Sequence, residues 1–254
     1  PAAMVAPTPV SALLHAVAVV KAGVFSITKI FISIFGIDQI SQIGSIDWLL
    51  GISAATIIIA SLFALKENNL KKLLAYSTVS QLSYVVFGVL ILAPLSIAGA
   101  ILHILAHAFG KITLFFAAGS IYSVSKKTKI DELKGIGWRM PWTMGSFSVA
   151  ALSMIGVPPL AGFLSKLYFL LGTWQSEHYF AMTIIVVSTL LNTAYFIPIL
   201  YISWFYRPQD NNEFGEAPPA IVLSLVLTAI LTFSLFLWVE FPLQQIFLIS
   251  GISP

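Results

Sequence analysis

Long apolar runs separated by short polar joints set the pattern of this chain. A membrane-crossing helix needs about 20 mostly apolar residues. Seven stretches meet or approach that length: residues 10–35, 46–65, 79–93, 96–123, 142–172, 180–206 and 219–239. The runs are continuous rather than alternating, which argues for helices over the short strands of a membrane barrel. The most polar linker, 207–219, joins the last two runs, and no tandem repeat or low-complexity segment intervenes. Residues 66–78, KENNLKKLLAYST, are too polar to span. There Leu70, Leu73, Leu74 and Ala75 fall at helical spacing beside Lys71 and Lys72. That spacing predicts a short amphipathic helix at the interface, with a solvated loop as the alternative. The expected fold is an all-α polytopic membrane protein: about seven transmembrane helices, one of them broken, plus the interfacial helix, in one domain over residues 1–254.

Composition narrows the function classes. Of the 254 residues 58% are hydrophobic and 9% charged, against roughly 25% charged in an ordinary soluble domain. This excludes a soluble enzyme, a disordered chain and a nucleic-acid binder. The absence of cysteine removes disulfides, iron–sulfur clusters and thiolate zinc sites. A net charge of +3 says little about acidic partners. The first residue is Pro1 rather than methionine and no signal-peptide pattern precedes the first apolar run, so the chain reads as an internal or C-terminal piece of something longer.

The distribution of basic residues orients the spans. With alternating spans, Lys66, Lys71, Lys72, Lys126, Lys127, Lys129, Lys134, Arg139 and Arg207 share one side, nine of the thirteen basic residues. The opposite loops, 36–46, 94–96 and 172–179, hold no lysine or arginine. The positive-inside rule makes the basic loops (66–72, 126–139 and Arg207) cytoplasmic, in an inner (plasma) membrane.

The other four lysines lie inside spans, where a charge costs several kcal/mol. Lys29 is near a span end and can snorkel. Lys21, Lys111 and Lys166 need another reason. In the fourth span His103, His107 and Lys111 follow at four-residue steps. Each step rotates about 400°, so the three share a stripe drifting by about 40° per step over about 12 Å of depth. Histidine titrates near neutral pH, and such a row can pass a proton by successive protonation and release. Metal binding, haem included, is the rival reading; it wants further ligands, and the adjacent lysine cation disfavours a divalent ion.

The first span carries Ser11 and His15 on one face, with Lys21 about 120° around the helix from His15. The fifth span is interrupted by Gly156-Val157-Pro158-Pro159-Leu160-Ala161-Gly162. Pro158 and Pro159 cannot sit in an unbroken helix, so two half-helices joined by unwound backbone are expected. With Lys166 four residues on, this is the pattern of a transport site. Asn192, one turn after Ser188, adds polar groups to the sixth span, though such a pair more often serves helix packing. No Asp or Glu lies deep in any span, so the buried groups suit protons better than metal cations.

These residues also carry a family resemblance. The run Ala6-Pro7-Thr8-Pro9-Val10-Ser11-Ala12-Leu13-Leu14-His15, followed by Val20-Lys21-Ala22-Gly23-Val24-Phe25, resembles the signature of the antiporter-like membrane subunits. These occur in Mrp-type monovalent cation/proton antiporters and in respiratory complex I. Residues 69–81, the His103/His107/Lys111 stripe and the run from Gly156 to Lys166 are similar to further hallmarks, in the expected order. The runs Val20-Lys21-Ala22-Gly23 and Phe109-Gly110-Lys111-Ile112-Thr113-Leu114-Phe115-Phe116 resemble the branch of the Mrp D subunit. The resemblance implies a fourteen-helix fold of two inverted five-helix repeats, of which this chain would be the C-terminal half. The family's input glutamate and its partner lysine would then lie upstream of Pro1. It further implies that Lys21 is a central proton carrier, that His103, His107 and Lys111 form the hydrophilic axis, and that Lys166 stands near the proton exit. The implied partners are other membrane subunits, protons and Na+ or K+, with no cofactor held by this chain. Two other readings remain beside the antiporter: a membrane-arm subunit driven by quinone reduction elsewhere in its complex, and a passive structural subunit. Three intramembrane lysines oppose the passive subunit.

Overall fold

The computed structural model describes residues 18–41, 46–208 and 215–250. Among them no strand occurs. The chain runs through α1 (Val19–Lys29, continued by a π-helical turn Ile30–Phe35), α2 (Ile46–Lys66), α3 (Leu70–Leu90), α4 (Pro94–Ser125), α5 (Pro141–Ile155), α6 (Ala161–Gln175), α7 (Tyr179–Phe205), α8 (Pro219–Leu237) and α9 (Glu240–Ser250). Five of these, α2, α3, α4, α7 and α8, are each long and apolar enough to cross a membrane. The half-helices α5 and α6 together make the broken span. Ser11 and His15 lie outside the described residues.

Local chemistry sets the helix ends. Asn69 is the N-cap of α3, its side chain accepting from Lys72 N at 3.2 Å. Pro94, Pro141 and Pro219 each open a helix, where a missing N–H costs nothing. α5 stops at Gly156, whose φ of +96° is a conformation side chains disfavour. The unwound link 156–160 follows, carrying Pro158 and Pro159, as their sequence requires.

α3 and α4 form the centre of the bundle. α3 packs against α1, α2 and α4, while α4 also meets α5, α6, α8 and α9. Small residues bring α4 and α6 almost into backbone contact. A Cβ on Gly172 would lie 2.5 Å from Ser96 N, and one on Gly99 3.0 Å from Ser165 O. The outer helices turn apolar side chains outward, among them Leu190 on α7 and Leu223, Leu227 and Ile230 on α8.

The basic loops meet at one end of the bundle. Leu70 N donates to Thr128 O at 3.0 Å and Ile130 N to Asn68 O at 2.8 Å. Gly135 N donates to Ile202 O at 3.0 Å, and the Trp138 indole to Trp204 O at 2.9 Å. Within this layer Glu132 accepts from the backbone N–H groups of Thr128 and Lys129, both at 3.1 Å. Those bonds favour the carboxylate and hold it below its ordinary range.

Two expectations are corrected. No separate amphipathic helix occupies residues 66–78: residues 70–78 are the first turns of the span α3, and Leu70, Leu73, Leu74 and Ala75 are buried. The 126–139 loop covers this polar stretch, so it need not lie on the membrane surface. Among the described residues the short helical turns outside the spans are Ile37–Ser41, Ile130–Leu133 and Ile136–Arg139. The chain also makes a helix after the last expected span, α9, whose Leu243 and Ile246 pack on Ala98 and Leu102 of α4.

Candidate functional site

Among the described residues Lys21, His103, His107, Lys111 and Lys166 are buried within the bundle. Lys111 is fully buried, and so are His103 and His107. Lys166 is 5% exposed and Lys21 7%. Lys21 on α1 lies within electrostatic range of His103, His107 and Lys111. Lys29, by contrast, is exposed. The sequence could not place Lys21 relative to Lys111; the fold brings them into one electrostatic field because α1 rests on α3, beside α4.

Lys111 and Lys166 are each met by neutral acceptors. Lys111 Nζ donates to Ser77 Oγ at 2.8 Å and to Leu74 O at 3.2 Å, both on α3, and lies 5.9 Å from the Phe196 ring centre. Lys166 Nζ donates to Ile155 O at 2.8 Å and to Thr189 Oγ1 at 3.3 Å, and lies 5.6 Å from the Tyr84 ring centre. Ile155 is the last residue of α5, where carbonyls lack intrahelical partners and the helix dipole is negative. The break after α5 therefore creates the acceptor that Lys166 uses. Pro158 and Pro159 lie in the unwound link that follows Ile155.

The half-helices are locked together at the same place. Gly162 N donates to Ser153 Oγ at 3.1 Å, and a Cβ on Gly162 would fall 1.8 Å from Ser153 O. Ser165 Oγ, one turn on, donates to Gly162 O at 3.0 Å. Ser165 Oγ also meets His103 Nδ1 at 2.9 Å, and this contact holds the imidazole in place.

The stripe on α4 is as the spacing requires, with the His103 and His107 ring centres 6.0 Å apart. His103 Nε2 and both nitrogens of His107 are buried with no hydrogen-bond partner. Gln81, Ser188 Oγ and Asn192 Nδ2 are also without partners of good geometry. Polar atoms this deep are normally satisfied, by ordered water where protein groups do not reach. The arrangement thus suits a wet file of basic groups able to exchange protons through intervening water.

Acidic residues appear in the described spans only in first turns, Asp47 of α2 and Glu240 of α9. Among the described residues no group of three His, Asp or Glu could hold a metal.

Residue reasoning missed Ser77, Tyr84, Ser165, Thr189 and Tyr195. Tyr84 lies at the Lys166 end of the file, 5.7 Å from His103 between ring centres and with the Lys166 cation over its ring. The available signal was the polar run Ser77-Thr78-Val79-Ser80-Gln81 inside an otherwise apolar helix.

Comparison with known proteins places this geometry among others. Residues 1–192 match the family model described as NADH:quinone oxidoreductase/Mrp antiporter, transmembrane. The chain is similar to the NADH-quinone oxidoreductase subunit N of Desulforudis audaxviator, 36% identical over 227 residues, covering 88% of this chain and 45% of that protein. Its fold is similar to a chain of the Mrp complex from Dietzia sp. DQ12-45-1b, with a TM-score of 0.83 and 20% identity over 94% of this chain and 52% of that one. It is also similar to a chain of the membrane-bound sulfane sulfur reductase, an archaeal respiratory membrane complex, with a TM-score of 0.82 and 23% identity over 97% and 49%. The chain therefore spans about half the length of these relatives.

Proposed function

The chain belongs to the NADH:quinone oxidoreductase/Mrp antiporter transmembrane family, and on that premise we propose that it carries protons laterally through the membrane interior as part of a multisubunit complex. The observation that supports this best is the burial of Lys21, Lys111, His107, His103 and Lys166 in a bundle whose described long helices carry acidic residues only in first turns. Packing alone would be served at lower cost by apolar residues. In this reading Lys111 releases its proton toward His107, whose nitrogens face no protein partner. His103, held by Ser165, passes it on through Nε2, and Lys166 takes it at the end of α5. Like-charge repulsion along the file makes each arriving proton favour departure of the next.

Proton movement would be coupled to Na+ or K+ exchange by partner subunits, as the Mrp-like motifs suggest. A second coupling is favoured by a specific observation: the 36% identical relative is a subunit of a quinone oxidoreductase. There the same file would be driven by quinone reduction in another subunit. The basic end of the bundle would face the cytoplasm in both cases.

Everted vesicles holding the complete complex separate the two couplings. A pH-sensitive dye reports an imposed proton gradient while cations or NADH are added. Collapse on adding Na+ or K+ without NADH supports the antiporter. Proton movement only with NADH and quinone together supports the respiratory subunit and rejects the cation coupling. No response to either rejects proton carriage itself.

A further inference from the structure

Lys111 is held from α3 by a chain of hydrogen bonds that does not stop at Ser77. Ser77 Oγ is 3.0 Å from the Tyr195 hydroxyl, and Tyr195 donates to Asn192 Oδ1 one turn earlier on α7. All four side chains are nine-tenths buried or more. Their chemistry fixes the direction of every bond. An ammonium only donates and an amide oxygen only accepts. Tyr195 spends its proton on Asn192, so Ser77 donates to Tyr195 and accepts from Lys111. Three neutral groups thus present an aligned lone pair to a cation that has no carboxylate.

The same chain has a second polarity. Rotating the Asn192 amide by half a turn presents Nδ2 to Tyr195, which then donates to Ser77, which donates to Lys111. A charged ammonium cannot accept that bond; a neutral amine can, through its lone pair, while still donating to Leu74 O. Asn192 Nδ2 has no hydrogen-bond partner now, so the rotation breaks no other protein bond. The other titratable groups in reach of Lys111 are Lys21 on α1, His107 and His103 on its own helix and Tyr195 itself. α5 and α8, which also pack on α4, carry no titratable side chain.

We propose that Ser77, Tyr195 and Asn192 are positioning residues for Lys111, forming a chain that reverses when the lysine loses its proton. The chain holds the ammonium on α3 in one state and hands the neutral amine a hydrogen bond in the other. No proton leaves the chain in this exchange; only hydrogen-bond donors and acceptors trade places. This inference rests on the proton-carrying role of Lys111.

The test compares variants of the assembled complex in a vesicle assay of proton movement, with assembly checked by recovery of the intact complex. Asn192→Asp keeps the shape and the acceptor but removes the reversing NH2 group. Tyr195→Phe keeps the ring, which packs on Phe196 at 4.7 Å, and removes the middle link. Each is expected to slow proton movement at least tenfold, and the double variant no further than the slower single, because one chain is being cut twice. Wild-type rates in assembled Asn192→Asp or Tyr195→Phe overturn the proposal, and so does a multiplicative loss in the double variant. If Asn192→Asp does not assemble, Tyr195→Phe decides alone. Lys111→Met in the same assay separates the two claims. A dead Lys111→Met beside normal Asn192→Asp and Tyr195→Phe rejects the chain and spares the relay, whereas a normal Lys111→Met rejects both.

Discussion

Four lysines lie in apolar runs, and their surroundings distinguish them. Lys29 is exposed at the end of α1, where a lysine can snorkel to water without a partner. Lys29→Met is therefore expected to leave proton movement within twofold of wild type; a loss comparable to removing a buried lysine would show that Lys29 belongs to the file. Lys166 depends on its neighbours far more. A Cβ on Gly156 would lie 2.9 Å from Lys166 Cδ, at a backbone φ of +96°. Gly156→Ala should cost about 1–2 kcal/mol from the left-handed backbone alone and displace the ammonium from Ile155 O. Reduced proton movement together with a lower melting temperature of the complex is the expected result. Unchanged values of both would mean that the lysine does not depend on this turn.

At the scale of elements, the broken helix was the most legible feature. Gly156 to Gly162 announces the interruption in its own residues, and its backbone gives Lys166 a carbonyl. The stripe on α4 was equally legible, because four-residue spacing alone puts its members on one face. The groups that hold those residues were not. Lys111 finds Ser77 34 positions earlier, Ser77 finds Tyr195 118 positions later, and His103 finds Ser165 62 positions later. Such pairs are created by helix packing, and no local pattern encodes them. The misreading of residues 66–78 has a similar cause. Lys71 and Lys72 made the first turn of α3 look interfacial, and its cover, the 126–139 loop, comes from far along the chain.

Two element-scale predictions follow from the contacts. Gly162→Ala would place a methyl 1.8 Å from Ser153 O, so the half-helices must part. Poor recovery of intact complex is expected, and full recovery at the wild-type melting temperature would contradict the close approach. In the loop layer, the folded state depresses the Glu132 carboxyl, so its contribution to loop order is present above the unfolded carboxylate range of about 4.3. That contribution is lost as pH falls through the lower folded value. Faster protease cleavage within 126–133 in acid, absent in Glu132→Gln because that variant is already loose at neutral pH, is the expected outcome. A wild-type loop equally resistant at all pH values would contradict it.

At the scale of the whole molecule, the fold separates an exposed basic end from a buried basic axis. The loops 66–72, 126–139 and Arg207 lie together because α3 begins, α4 ends and α7 ends on the same side. Because the chain has no cysteine, Lys129→Cys supplies a single label site in it. An impermeant maleimide should modify this chain in everted vesicles and not in intact cells, and the opposite pattern would invert the proposed orientation. The axis itself runs across the bundle from α1 through α4 to α6. Its placement inside protein rather than facing lipid follows from burial on every side.

The central claim is that protons move along this buried basic file. Its most direct measurement is dye-reported proton movement in everted vesicles carrying the complete complex with Lys111→Met. That substitution keeps an unbranched side chain of similar length and removes the ammonium that donates to Ser77 Oγ and Leu74 O on α3. The account predicts that the complex assembles and that proton movement is lost. Wild-type movement in an assembled Lys111→Met complex would contradict it.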